Sequence, residues 1–196
     1  MNLPNKLTVI RLLLVPVFIV VYLVPEALSM HVPVYHVLGT SMSLVDILSF
    51  VIFALASITD FLDGKLARKN NLVTTFGKFV DPVADKMLVN SALILLTVDG
   101  KIPVVLLIIM VLRDTLVDAV RFLAANHNIV IAASIWGKAK TMTQMVAICL
   151  LLLNNPIFAY IGLPLDTILI YLATIFSVFS GINYLNGSKE FILESM

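Results

Sequence analysis

The sequence predicts an all-α membrane protein, six transmembrane helices enclosing a polar cavity at the cytoplasmic side. Three observations predict it. Of 196 residues, 60% are apolar and only 13% are Asp, Glu, Lys or Arg, against about 45–50% and about 25% in soluble domains. The chain holds six apolar runs close to the about 17–25 residues that a tilted helix needs to cross a bilayer. Charged residues gather at one end of most runs. A net charge of +1 leaves no excess for binding polyanions, and one cysteine excludes a disulfide framework.

The runs fall at 5–25, 43–63, 82–98, 103–125, 139–154 and 165–187. Pro25 and Pro33 flank the first loop, Asp99-Gly100-Lys101 with Pro103 makes the third turn, and Asn154-Asn155-Pro156 begins the fifth. Long runs without strict alternation read as helices and not as strands of a barrel. A signal peptide is the alternative for the first run, but Pro16 sits in its middle and five further runs follow. Residues 1–196 read as one domain.

With both termini in the cytoplasm, the inner side collects 12 of the 13 Lys and Arg residues, leaving only Lys101 outside. That split follows the positive-inside rule. Several of these charges lie on the helices themselves. Asn5, Thr8 and Arg11 open the first, Asp60 and Asp63 close the second, and Asp81, Asp85 and Lys86 open the third. Charges at membrane depth face a bundle interior or a wet cavity, so these helix ends converge on a cavity at the inner leaflet. In the last run Ala173, Ser177 and Gly181 form a small-residue series suited to close packing within the bundle or against another subunit.

Two stretches carry the chemistry: Ser57-Ile-Thr-Asp60-Phe-Leu-Asp63-Gly64-Lys-Leu-Ala67-Arg68 and Gly77-Lys-Phe-Val-Asp81-Pro-Val-Ala-Asp85-Lys86. At about 100° per residue, Asp63, Gly64 and Ala67 lie at about −60°, +40° and −20° from Asp60, on one face. Gly77, Asp81 and Asp85 share an arc of about 80° on the next helix. Four carboxylates brought together cannot all stay ionised without cations, and their charge matches two divalent ions. All-oxygen ligands favour Mg²⁺, Mn²⁺ or Ca²⁺ over zinc. Gly64, Ala67 and Gly77 leave room for a ligand, and Arg68 suits bidentate contact with phosphate. The set describes a site that handles a pyrophosphate. Ion pairing within the membrane or a proton relay is the plain alternative for any single Asp.

The string Asp60-x₂-Asp63-Gly64-x₂-Ala67-Arg68-x₈-Gly77-x₃-Asp81-x₃-Asp85 resembles the signature of the CDP-alcohol phosphotransferases at every defined position. The resemblance implies a CDP-linked donor, an alcohol acceptor and release of CMP. It implies two divalent cations, Mg²⁺ or Mn²⁺, on Asp60, Asp63, Asp81 and Asp85, with Asp85 also the base for the acceptor hydroxyl. Gly64, Ala67, Arg68 and Gly77 would surround the CDP group. A homodimer is expected.

Within that family, Pro4-Asn5-Lys6-Leu7-Thr8-x₂-Arg11 resembles the opening of the bacterial members that make phosphatidylglycerol phosphate. Asn5 and Thr8 share a helix face and suit a nucleotide or phosphate, with helix capping the alternative. Arg113-Asp114-x₃-Asp118-x₂-Arg121 keeps its charges within an arc of about 140°, which a salt-bridge ladder along the helix also explains. Gly137-Lys138-Ala-Lys140-Thr141 resembles the corresponding Gly-Lys-x-Lys-Thr segment and places two ammonium groups at a helix start, where an anion is favoured. Asp114 stands where those members often carry Glu. Arg113, Arg121, Lys138 and Lys140 supply cations beyond those the donor needs, which points to sn-glycerol 3-phosphate as acceptor and CDP-diacylglycerol as donor. Other readings are a sibling using inositol phosphate, serine or phosphatidylglycerol, or a cation transporter. His31, His36 and His127 read as solvated, and Cys149 as a small apolar residue.

Overall fold

The computed structural model describes residues 2–69, 75–126 and 134–189. The protein is all-α apart from one short hairpin, with seven helices among the described residues. They are α1 (Leu3–Ala27), α2 (Leu44–Lys69), α3 (Thr75–Val98), α4 (Val104–Asn126), α5 (Ile135–Leu152), α6 (Pro156–Tyr160) and α7 (Leu165–Gly187). Each expected run lies largely in one long helix, and α6 is an added single turn. Among the described residues, two helical segments, Asn5–Ala27 and Leu165–Gly187, are long and apolar enough to cross a membrane.

Apolar side chains from all six long helices meet in one core. Phe18, Phe53, Leu96, Met110, Ile148 and Ile170, one from each, are buried in the same cluster. α5 packs chiefly on α7, α1 on α2 and α3, and α4 on α7. Ala173 and Ser177 are buried on α7, so two members of its small-residue series pack inside the bundle.

The helix ends depart from the sequence reading in instructive ways. α1 begins at Leu3, where the Asn2 side chain accepts from the Asn5 N–H at 3.1 Å. It continues through Pro25 to Ala27, because a proline near a helix end gives up a single hydrogen bond and its fixed φ is already helical. α3 starts at Thr75, well before the expected residue 82, and Pro82 lies inside it. Thus Gly77 and Asp81 are helical and share the helix of Asp85.

The first loop contains a hairpin that the sequence reading leaves as loop. β1 (Val34–Val37) pairs antiparallel with β2 (Thr40–Ser43), Val37 opposite Thr40. Leu38 and Gly39, both at positive φ (51° and 81°), form a two-residue turn of the kind whose twist matches the strands. β2 runs straight into α2 through a capping box. Ser43 Oγ accepts from the Asp46 N–H, and the Asp46 carboxylate accepts from the Ser43 N–H at 2.8 Å. Asp46 also faces Lys101 at 3.6 Å, and Asn154 donates to the Ser41 carbonyl at 2.9 Å. At the same end the Tyr22 hydroxyl donates to Asp99. Lys101, the lone expected outer cation, is therefore part of a polar clamp at the end opposite the carboxylates.

Candidate active site

The carboxylate half of the site is assembled by α1, α2 and α3. Thr8 and Arg11, both buried, stand one turn apart on α1. Thr8 donates to Asp81 on α3, and the Arg11 guanidinium pairs with Asp60 on α2. Asp60 lies within electrostatic reach of both Asp81 and Asp85, so three of the four predicted carboxylates converge across two helices. Gly77 is buried on α3. Asp63, Gly64, Ala67 and Arg68 continue α2 beyond Asp60, but their side chains lie outside the described residues, as does His127.

Among the described residues no group of three or more His, Cys, Asp or Glu side chains is close enough to hold a metal ion. The donor set still suits a hard divalent cation, since every candidate ligand is a carboxylate oxygen.

The cationic half comes from α4, α5 and α7. The Asp114 carboxylate receives Arg113 Nη1 and Lys140 Nζ, each at 2.7 Å. Arg113 Nη2 donates to Ser180 Oγ, while its buried Nε has no hydrogen-bond partner. Two glycines make space for this side chain. A Cβ on Gly181 would sit 3.1 Å from Arg113 Cγ, and one on Gly137 would sit 3.2 Å from Ser180 Oγ. Arg121 donates to the Tyr184 hydroxyl. Its guanidinium lies 5.1 Å from the Tyr184 ring centre, with that of Arg113 at 5.9 Å, within cation–π range. Asp118 pairs with Lys86 of α3. Apart from Arg113–Asp114 within α4, these pairs tie α4 to its neighbours, in place of the ladder along α4 that its spacing allows.

α5 begins earlier than the expected residue 139. Ser134 caps it, accepting from the Gly137 N–H at 3.0 Å, and the Tyr184 hydroxyl accepts the Ser134 N–H at 3.3 Å. Lys138 is exposed and Lys140 buried, because two residues along a helix turn a side chain through about 200°.

Asp85 of the carboxylate half and the cationic half open onto one cavity of about 690 Å³, which Asp60 and Asp81 do not line. Asp85 and Lys86 line it from α3, Arg113 and Arg121 from α4, and Lys138 and Lys140 from α5. The structure thus brings the predicted base and all four predicted acceptor cations onto one cavity. Asn5 lies one turn before Thr8 on α1. Sequence reasoning placed Arg11 among the polar helix ends of the cavity without naming its partner, and gave no site role to Ser180 and Tyr184 of α7. The available signal was a polar stripe, Ser177, Ser180 and Tyr184, at intervals of three and four along an otherwise apolar helix.

The chain as a whole is similar to known sequences. The model of the CDP-alcohol phosphatidyltransferase family matches residues 1–179, and the chain belongs to that family. It is therefore an enzyme of a family that generally depends on divalent cations. Its apolar helices and this family together make it a membrane protein. Among similar curated proteins, one from Bacillus subtilis is 38% identical over 195 residues, covering 96% of each chain. One from Haemophilus influenzae is 35% identical and covers 100% of this chain and 97% of its own. One from Rickettsia bellii is 34% identical over 97% of each. All three are named CDP-diacylglycerol–glycerol-3-phosphate 3-phosphatidyltransferase.

Proposed function

We propose that this enzyme transfers the phosphatidyl group of CDP-diacylglycerol to sn-glycerol 3-phosphate, forming phosphatidylglycerol phosphate and CMP. The observation that carries the proposal is the shared cavity, in which Asp85 faces a set of cations larger than the donor requires. A phosphorylated acceptor gives those cations a partner, and the buried Nε of Arg113 is a donor ready for one of its oxygens. The full-length relatives named for this reaction support the same choice.

Asp60, Asp63, Asp81 and Asp85 hold two divalent cations, Mg²⁺ or Mn²⁺, in this reading. Bound there, such ions would supply Lewis-acid polarisation of the donor pyrophosphate and would favour departure of CMP. The residues of the chain do the rest. Asp85 takes the proton of the C1 hydroxyl of the acceptor, whose oxygen attacks the lipid-linked phosphorus in line. A new P–O bond forms to the acceptor as the bond to CMP breaks, and no covalent enzyme intermediate is needed. Gly64, Ala67, Arg68 and Gly77, with Asn5 and Thr8, accommodate the CDP group. Arg113, Arg121, Lys138 and Lys140 bind the acceptor phosphate.

The proposal includes a six-span topology with both termini and the cavity at the cytoplasmic side. Each long helix exposes large apolar side chains, among them Leu13, Leu55, Ile94, Leu112, Val146 and Ile175, a belt suited to lipid. The acyl chains of the donor can then stay in the bilayer while its headgroup enters the cavity. Assembly as a homodimer belongs to the same proposal and is tested by crosslinking in membranes. Purified protein given CDP-diacylglycerol and a panel of acceptors, read by product mass, tests the chemistry. Phosphatidylglycerol phosphate is the expected product. Equal use of serine, inositol phosphate or free glycerol would overturn the acceptor assignment.

A further inference from the structure

We infer that Gln144 selects the acceptor by hydrogen-bonding the hydroxyl that does not react. The inference rests on sn-glycerol 3-phosphate being the acceptor, as proposed above. Gln144 is 1% exposed and lies on α5 one turn beyond Lys140, about 6 Å farther along the axis. It lines the same cavity as Asp85 and the cations. Its Nε2 has no hydrogen-bond partner. Buried amide groups in this condition are uncommon, and leaving one unmet is unfavourable.

The polar side chains that precede it within a turn of α5 are already committed. Lys140 and Arg113 hold Asp114, and the Thr141 hydroxyl donates to the Gly137 carbonyl at 3.1 Å. An unpaired buried amide beside an open cavity is therefore matched by something that enters the cavity.

The chemistry of the amide narrows what that is. A phosphate is served by the cations, and the reacting C1 hydroxyl belongs with Asp85. The acceptor carries one further polar group, the C2 hydroxyl. A hydroxyl both donates and accepts, so it satisfies a carboxamide whichever way its oxygen and nitrogen are turned. A site built to bond a hydroxyl discriminates against an analogue lacking it, because the protein group is then left unpaired. Gln144 is a specificity-determining residue in this scheme and takes no part in the proton transfer.

The test compares two acceptors in one preparation: sn-glycerol 3-phosphate and 3-hydroxypropyl phosphate, which lacks only the C2 hydroxyl. CMP release gives kcat/KM for each, and their ratio is insensitive to a misfolded fraction. Wild-type protein should favour sn-glycerol 3-phosphate by roughly tenfold or more. Gln144→Leu and Gln144→Met should bring the ratio close to one. An unchanged ratio in both variants, or equal use of the two acceptors by wild type, would overturn the assignment. Wild-type protein that releases no CMP with sn-glycerol 3-phosphate would instead overturn the acceptor reading, and this assignment with it.

Discussion

Arg113 and Lys138 line the same cavity but are held differently, and the difference sets what each substitution should do. Arg113 is fixed by Asp114 and Ser180 and seated against Gly181, whereas Lys138 is exposed. Hydrogen bonds to charged groups are worth about 1.5–3 kcal/mol, and 1.4 kcal/mol is a factor of about ten. Arg113→Ala should therefore raise the KM for glycerol 3-phosphate roughly 10- to 150-fold. Lys138→Ala should raise it less, because solvent screens an exposed ammonium. The KM for CDP-diacylglycerol should move little in either variant. Steady-state kinetics with each substrate varied in turn checks this, and equal weakening of both substrates would remove the acceptor-phosphate assignment. The approach of Asp60 to Asp81 and Asp85 was legible because a carboxylate at membrane depth is expensive and their spacing repeats one helix face. Ser180 and Tyr184 were not, since a serine and a tyrosine on an apolar helix look the same whether they pack or hold an arginine.

At the scale of elements, α2 carries Asp60 and Asp63, the proposed metal ligands, in the half of the helix opposite its anchored end. The Ser43–Asp46 capping box starts the helix, and Asp46 additionally meets Lys101 and Asn154. Replacing an N-cap residue with Ala costs about 0.5–2 kcal/mol. Ser43→Ala should lower the midpoint of thermal unfolding in detergent while leaving both KM values near wild type, because the clamp lies at the end of the bundle remote from the cavity. A shift in KM without loss of stability would contradict that separation. The long helices could be read from apolar runs, but their inner ends could not. α3 and α5 begin among polar residues that a hydropathy argument assigns to loops, and the hairpin is too short, with too few apolar residues, to show a period.

Over the whole molecule, polar residues segregate into two sets with the apolar core between them. One set is the cavity with Asp85, Arg113 and Lys140, and the other is the clamp of Asp46, Asp99 and Lys101. The proposed six-span topology with the cavity inside would place exposed Tyr35 and Tyr160 outside and Lys189 in the cytoplasm. In a Cys149→Ser background, Tyr35→Cys and Tyr160→Cys should react with an impermeant thiol reagent added to intact cells. Lys189→Cys should react only after the membrane is opened. Labelling of Lys189→Cys from outside would reverse the map and separate the cavity from its soluble substrate.

The joining of carboxylates and acceptor cations in one metal-dependent site is tested most directly by the rate of CMP release from CDP-diacylglycerol and glycerol 3-phosphate. It is measured for wild type and Asp85→Asn after chelation and again across a titration of Mg²⁺. Asn keeps the shape of the side chain and loses the charge that holds a hard cation and accepts a proton. Wild-type release should fall to background with EDTA and return with excess Mg²⁺, while Asp85→Asn, correctly inserted and folded, stays near background at every concentration. Near-normal release by Asp85→Asn, or wild-type release that ignores the chelator, would contradict the account.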